Sequence, residues 1–178
     1  VMPSTPADAK GLLKSAIRDP NPVVMLEDML LYFQPGPVPE GEYLTPIGQA
    51  EIKRPGRDVT VVTWSKMVGV ALRAADQLAA DGIEVEVVDL RTLAPLDTAT
   101  LLASVRRTGR LVVLHEANRT GGFGGEIAAV VMEEALDSLK APLRRVCGPD
   151  IPVPASPPLE RWYIPNEERL MAAVRDIV

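Results

Sequence analysis

The chain has 178 residues, 47% hydrophobic and 24% charged, and a net charge of -5. That length allows one ordinary domain with an appendage, and the composition excludes a disordered chain. The acidic balance argues against a nucleic-acid or anionic-membrane surface, which needs basic clusters, and no apolar run is long enough to span a bilayer.

The start, Val1-Met2-Pro3-Ser4, carries no signal-peptide pattern, so a cytoplasmic location is expected. The first element is a helix with Thr5 as N-cap, Pro6 in the first helical position and Asp8 three residues after the cap. Leu12, Leu13, Ala16 and Ile17 give it an apolar stripe, and Asp19-Pro20-Asn21-Pro22 stops it. Val23 to Leu26 then reads as a buried strand. One helix and one strand cannot bury two faces, so this piece is expected to be the tail of a domain whose beginning lies elsewhere. Leu31 to Thr45, with Pro35, Pro37 and Pro39, reads as an extended connector, as does the second proline cluster from Pro149 to Pro158.

Pro46 to Ile52 reads as an edge strand and Pro55-Gly56-Arg57-Asp58 as a turn. One unit, strand then helix, follows four times. Strands are expected at 59–63, 84–88, 110–114 and 142–146, and helices at roughly 66–80, 98–107, 124–139 and 166–177. Ser65 and Asp97 are the expected N-caps of the first two helices, with Gly82 and Gly109 at their ends. The third helix is rich in Ala, Val and Ile, which predicts burial on more than one side. Such alternation gives an α/β three-layer sandwich with a mostly parallel sheet. The expected division is 1–45, the end of one domain and a linker, then 46–178, the sandwich.

Chemistry is sought first at the carboxyl ends of the strands. The loop from His115 through Gly121, Gly122, Gly124 and Gly125 to Glu126 lies there. Its glycines suit tight turns and close helix–sheet packing; an anion site at the helix start is the alternative, but neither G-x-G-x-x-G nor a Walker lysine is present. His115 is the single histidine and stands beside Glu116, yet no partner nucleophile is visible, so it is read as shaping its loop. Thr63-Trp64-Ser65-Lys66-Met67 lacks the glycines of a nucleophile elbow. Cys147, the single cysteine, reads as a buried inert thiol. Asp19 and Asn21 are turn residues that could also offer oxygen to a hard cation.

Ala9-Lys10-Gly11-Leu12-Leu13 and the run from Ile17-Arg18-Asp19-Pro20 to Val24 resemble the later part of the pyrimidine-binding domain in beta subunits of 2-oxo acid dehydrogenases. Pro46-Ile47-Gly48-Gln49-Ala50, Asp89-Leu90-Arg91-Thr92-Leu93-Ala94-Pro95-Leu96-Asp97, His115-Glu116 with Arg119 to Gly124, Gly148 to Pro154 and Ile164-Pro165-Asn166 resemble the next domain, which is transketolase C-terminal-like. The resemblance implies the carboxyl-terminal portion of the beta subunit of a thiamine-diphosphate-dependent decarboxylating component, acting on pyruvate, a branched-chain 2-oxo acid or acetoin. The cofactor ylid attacks the substrate carbonyl, carbon dioxide leaves, and the acyl unit passes to a lipoyl arm. In such subunits the cofactor-activating glutamate and the active-site histidine precede the segment matching this chain, so no catalytic or cofactor-binding residue is assigned here. Two further roles are implied. A potassium ion would be held at Ala16, Asp19 and Asn21, through main-chain oxygens. Docking to the dihydrolipoyl acyltransferase core would use Glu133, Glu134, Asp137 and the terminal Val178, with Lys140 and Arg144 out of keeping. The remaining partners implied are the alpha subunit and a second beta subunit. A transketolase or deoxyxylulose phosphate synthase-type enzyme, or a stand-alone nucleotide-binding or regulatory module, are the alternatives.

Overall fold

Five strands form one sheet in the order β1-β3-β2-β4-β5. In the computed structural model, which describes residues 1–178, they are β1 (Glu51–Arg54), β2 (Val59–Thr63), β3 (Val85–Asp89), β4 (Leu111–Asn118) and β5 (Arg144–Gly148). Only β1 runs antiparallel to its neighbour. Every residue of β2 and of β3 is buried, because helices cover both faces of the sheet. Val59, Val61, Val85, Val87, Val112 and Leu114 point to one face, against α2 (Met67–Ala80) and α6 (Glu167–Arg175). Val62, Val88 and Val113 point to the other, against α3 (Thr98–Thr108) and α4 (Gly124–Glu134). The period of two in the strands thus splits the core into two layers. Ala71, Ala74 and Leu78 on α2 are wholly buried. A Leu78→Ala cavity in such packing costs about 2–5 kcal/mol.

One polar group is built into the second layer. Glu86 of β3 is fully buried, accepts the Ser104 hydroxyl and pairs with Arg107, both on α3. Thr60 Oγ1 lies 2.9 Å from the hydroxyl oxygens of both Ser104 and Thr108, extending the network to β2.

Two of the predicted caps, Thr5 and Asp97, are present, and Asn166 caps α6 as well. Thr5 accepts from the Asp8 amide at 3.1 Å, Asp97 from Thr100 at 3.0 Å, and Asn166 from Arg169 at 3.0 Å. Gly82 and Gly109 take the left-handed conformation that ends α2 and α3.

Four local expectations are corrected. Val23 to Leu26 is extended but forms no strand: it pairs only with Val1, and Val24 and Leu26 are 70% and 52% exposed. Its apolar side chains have no second layer to enter, and the following 3-10 turn, Met29–Phe33, exposes Met29, Leu30, Tyr32 and Phe33 as well. Pro46 to Ala50 is not strand, because proline donates nothing to a ladder and Gly48 sits at positive φ; β1 starts only at Glu51. The third repeat helix ends at Glu134 and gives way to a 3-10 turn, Leu136–Ser138, burying one side only and leaving Met132 and Leu136 exposed. In the second proline cluster, Pro157 and Pro158 open a short helix, α5 (Pro157–Tyr163), where a missing N–H costs nothing.

The first helix, α1 (Pro6–Arg18), is clamped twice. Gly11 packs on Thr45 with no room for a Cβ, and the Ser15 hydroxyl donates to the Thr45 carbonyl at 2.6 Å. At the sheet edge, Asp8 accepts from Lys53 at 2.8 Å and Arg91 at 3.2 Å, while the Ser4 hydroxyl donates to Asp89 at 2.5 Å. Burial pushes the Asp89 carboxyl up to about 6, opposed by the Ser4 hydrogen bond and the Lys53 charge.

Candidate functional site at the carboxyl ends of β2 and β4

The chain passes from β2 to β3 on one side and then crosses to β4 on the other. The order therefore reverses between β2 and β4, where open sheets of this kind form their crevice. Trp64, Ser65 and Lys66 leave β2 there, and His115 to Asn118 end β4.

Ser65 is one of two non-glycine residues at positive φ, at +52°. Its expected role as N-cap is not realised: α2 has no side-chain cap, and the Ser65 hydroxyl is buried without a hydrogen-bond partner. The amides of Ser65, Lys66 and Met67 likewise meet no acceptor. Lys66 Nζ reaches Asp28 at 3.0 Å and Glu116 at 2.8 Å. Burial disfavours its charge, but the hydrogen bonds and charges of Glu116 and Asp28 win and hold its pKa above the usual value.

His115 is 1% exposed and stacks on Trp64, with ring centroids 5.5 Å apart and planes at 12°; Phe123 meets Trp64 edge-on. A Cβ on Gly122 would stand 2.6 Å from His115 Cε1, and one on Gly124 would stand 2.6 Å from Nε2. These two glycines let the loop lie directly on the imidazole edge, so close packing is the reading that holds for them. Burial first, then the charge of Arg145, lower the His115 pKa, with the Ala117 backbone opposing in part. The ring, packed on its edge by glycine backbone and on its face by Trp64, shapes the loop. Between the two strand ends lies a cavity of about 510 Å³, with Trp64, Ser65, Met67, Phe123, Tyr163 and Ile164 among its walls.

A second, open cleft of about 920 Å³ separates the outer side of the glycine loop from Leu93 to Leu96 and carries Arg119 and Arg145. Each guanidinium donates to the other residue's carbonyl, at 3.5 and 3.2 Å, and neither has a carboxylate partner within 4.0 Å. Cys147 is buried at the end of β5, and burial raises its thiol pKa, as suits an inert sulfur.

The cation residues fall where α1 ends. Asp19 accepts from the Asn21 amide at 2.9 Å and its side chain at 3.0 Å, so Asn21 is turned inward on Asp19. Residues four beyond Ala16 and Arg18 are Pro20 and Pro22, which have no N–H to give. The carbonyls of Ala16, Ile17 and Arg18 therefore receive no donor. The docking residues Glu133, Glu134 and Asp137 are exposed at the far end of α4, and Val178 is 45% exposed. Both places are tied to one dipeptide at the amino end of β4. The Lys140 amide donates to the Gly109 carbonyl at 2.7 Å, and Arg110 Nε donates to the Ile177 carbonyl at 2.7 Å. Arg144 spends its charge on Asp176, at 2.5 Å. The cation residues and docking residues thus sit apart from each other and from the β2–β4 crevice. No group of three or more His, Cys, Asp or Glu converges in the structure. Sequence reasoning missed the strain at Ser65 and the Arg145 cleft. The first could be sought in any residue between strand and helix at the order reversal; the second left no signal beyond two adjacent arginines in β5.

Residues 48–170 match the family model described as transketolase, C-terminal domain. The beta subunit of acetoin:2,6-dichlorophenolindophenol oxidoreductase of Cupriavidus necator is 52% identical over 98% of this chain and 52% of that protein. Pyruvate dehydrogenase E1 component subunit beta-1, mitochondrial, of Arabidopsis thaliana is 49% identical over 96% of this chain and 48% of that protein. The 2-oxoisovalerate dehydrogenase subunit beta of Bacillus subtilis is 44% identical over 99% and 55%. A solved split gene transketolase, an inactive beta4 tetramer, superposes with a TM-score of 0.80 at 29% identity, covering 98% of this chain and 56% of that one. The chain spans about half the length of the curated relatives it matches. Sheet order, sequence and superposition agree, and the chain belongs to the transketolase C-terminal domain family, in kinship with the beta subunits of pyruvate, 2-oxoisovalerate and acetoin dehydrogenases.

Proposed function

We propose that this chain is the carboxyl-terminal half of the beta subunit of a 2-oxo acid dehydrogenase component, and that it serves assembly rather than the chemical step. The observation that carries the reading is identity of 44–52% over nearly the whole chain to beta subunits of three such enzymes. That exceeds the 29% shared with the split transketolase, the runner-up. The exposed apolar row at Ile17, Val24, Leu26, Met29 and Phe33 supports it, since a surface of that kind needs a covering partner. In this reading thiamine diphosphate, which supplies the carbanion chemistry, is held by the alpha subunit and by the other half of the beta subunit. What this chain contributes is a rigid lobe that presents the arm of residues 1–45 on one side and the acidic end of α4 on the other. A potassium ion at the end of α1 belongs to the same proposal. The carbonyls of Ala16, Asp19 and Asn21 accept no hydrogen bond within the chain, and such oxygens are the ligands a hard cation takes.

The test is co-expression of the tagged chain with the alpha subunit encoded in the same genome and with the preceding half of the beta subunit. Co-purification and lipoamide-dependent 2-oxo acid decarboxylation, absent when the chain is left out, are the expected result. Turnover by the chain alone with thiamine diphosphate would overturn it, as would co-expression yielding neither complex nor activity.

A further inference from the structure

Four of the six buried side-chain polar atoms without a hydrogen-bond partner belong to Thr63, Ser65 and His115, all at the carboxyl ends of β2 and β4. Native interiors satisfy such atoms, so a concentration of them marks a place where a partner belongs. His115 lines the cavity between the strand ends, but Gly122 and Gly124 pack on its ring edge, and Thr63 is not part of the lining. The Ser65 hydroxyl remains: it is 4% exposed, without a partner, and part of the lining of the 510 Å³ cavity.

What surrounds it is a set of donors. The free amides of Ser65, Lys66 and Met67 open a 14-residue helix that has no side-chain cap, so the positive end of its dipole is unopposed. Ser65 holds a strained left-handed backbone, as is found where a side chain must be aimed. Trp64, Met67, Phe123 and Ile164 give the cavity an apolar wall, and His115, Asn118, Tyr163, Glu116 and Glu160 are the polar part of the lining. At the rim, Lys66 is shared between two carboxylates, Asp28 and Glu116, which leaves that triad with a surplus negative charge. Such a rim repels a dianion more than a monoanion.

We propose that this cavity binds a small monocarboxylic acid. Its carboxylate takes the Ser65 hydroxyl and the first amides of α2, and its carbon chain lies against Trp64 and Phe123. The site goes beyond the assembly role and does not depend on it, since every group named lies within this chain.

Amide chemical shifts of the ¹⁵N-labelled 178-residue chain, titrated with isovalerate, isovaleramide and inorganic phosphate, test it. Isovalerate should give saturable shifts centred on Ser65, Lys66 and Met67, with affinity about tenfold above the other two, the ratio that one charge-assisted hydrogen bond supplies. Ser65→Gly suits the same backbone, removes the hydroxyl, and should lose about tenfold in isovalerate affinity. Absence of saturable shifts at residues 65–67 would overturn the site. Phosphate or isovaleramide binding with an affinity equal to that of isovalerate would overturn the ligand class. Undiminished binding by Ser65→Gly would remove Ser65 from it. Should that variant not fold, the three ligands on the unaltered chain still decide.

Discussion

Gly124 rests on the edge of His115, with space for a hydrogen and none for a methyl group. Gly122 does the same from the neighbouring turn. Gly124→Ala must push the imidazole off Trp64 or lift the start of α4 from the sheet. Overpacking of this kind costs about 1–3 kcal/mol. Urea unfolding should show the midpoint falling for Gly124→Ala, and less for Gly125→Ala, where a Cβ meets only Arg145 Nη1 at 3.6 Å. Equal effects at the two positions would contradict the packing role.

Asp89 makes stability depend on pH in an uncommon direction. Its carboxyl lies at about 6 in the folded chain against 3.8 when free, because burial, and then the charge of Asp8, disfavour ionisation more than the Ser4 hydrogen bond and Lys53 favour it. The folded state keeps a proton that the unfolded chain has released, so the stability Asp89 contributes is complete below 3.8 and is lost as pH rises through 6. The whole loss is about 2–3 kcal/mol. Asp89→Asn cannot ionise, so the unfolding free energy of the wild type relative to this variant should fall between pH 4 and pH 8. A difference that stays flat across that window would show that Asp89 does not titrate as described.

The buried Glu86 on β3 separates two kinds of damage. Arg107→Ala leaves a carboxylate in the core with only the Ser104 hydroxyl for company, and breaking a buried pair in this way costs about 3–5 kcal/mol. Glu86→Leu removes the charge itself and should cost less. Chemical denaturation of both variants gives the ranking directly; the reverse order would mean that the hydroxyls of Thr60, Ser104 and Thr108, not the ion pair, carry the network.

At the end of α1, Pro20→Ala restores a donor four residues after Ala16. If the free carbonyls hold potassium, the melting temperature of the wild type rises with potassium chloride over sodium chloride at equal ionic strength, and the variant loses most of that increment. The same increment in both would place the cation elsewhere.

The acidic tip of α4 gives a charge-based prediction. Reversing Glu133, Glu134 and Asp137 to lysine should weaken association with the acyltransferase core and flatten its salt dependence, while leaving the melting temperature within a few degrees, because all three side chains are exposed. Surface plasmon resonance at two salt concentrations reads both effects.

The elements most legible in the sequence were those whose signal is local and repeated. Val59 to Thr63 and Leu111 to Leu114 carry the apolar runs of doubly covered strands, and Thr5, Asp97 and Asn166 cap as their chemistry dictates. Val23 to Leu26 looked like a strand because its apolar content is real, but a strand also needs neighbours, and pairing with Val1 alone does not make one. Ser65 shows the opposite limit. Serine before a helix normally caps it, and only the sheet's order reversal, which three strands define together, turns its backbone the other way.

Lys66 holds Asp28, within the amino-terminal arm, and Glu116, near the end of β4, with one ammonium group. Whatever seats or lifts that arm changes how the lysine divides itself between the two. The mouth of the crevice is therefore fastened in part by a carboxylate from outside the sheet, one residue before the exposed Met29.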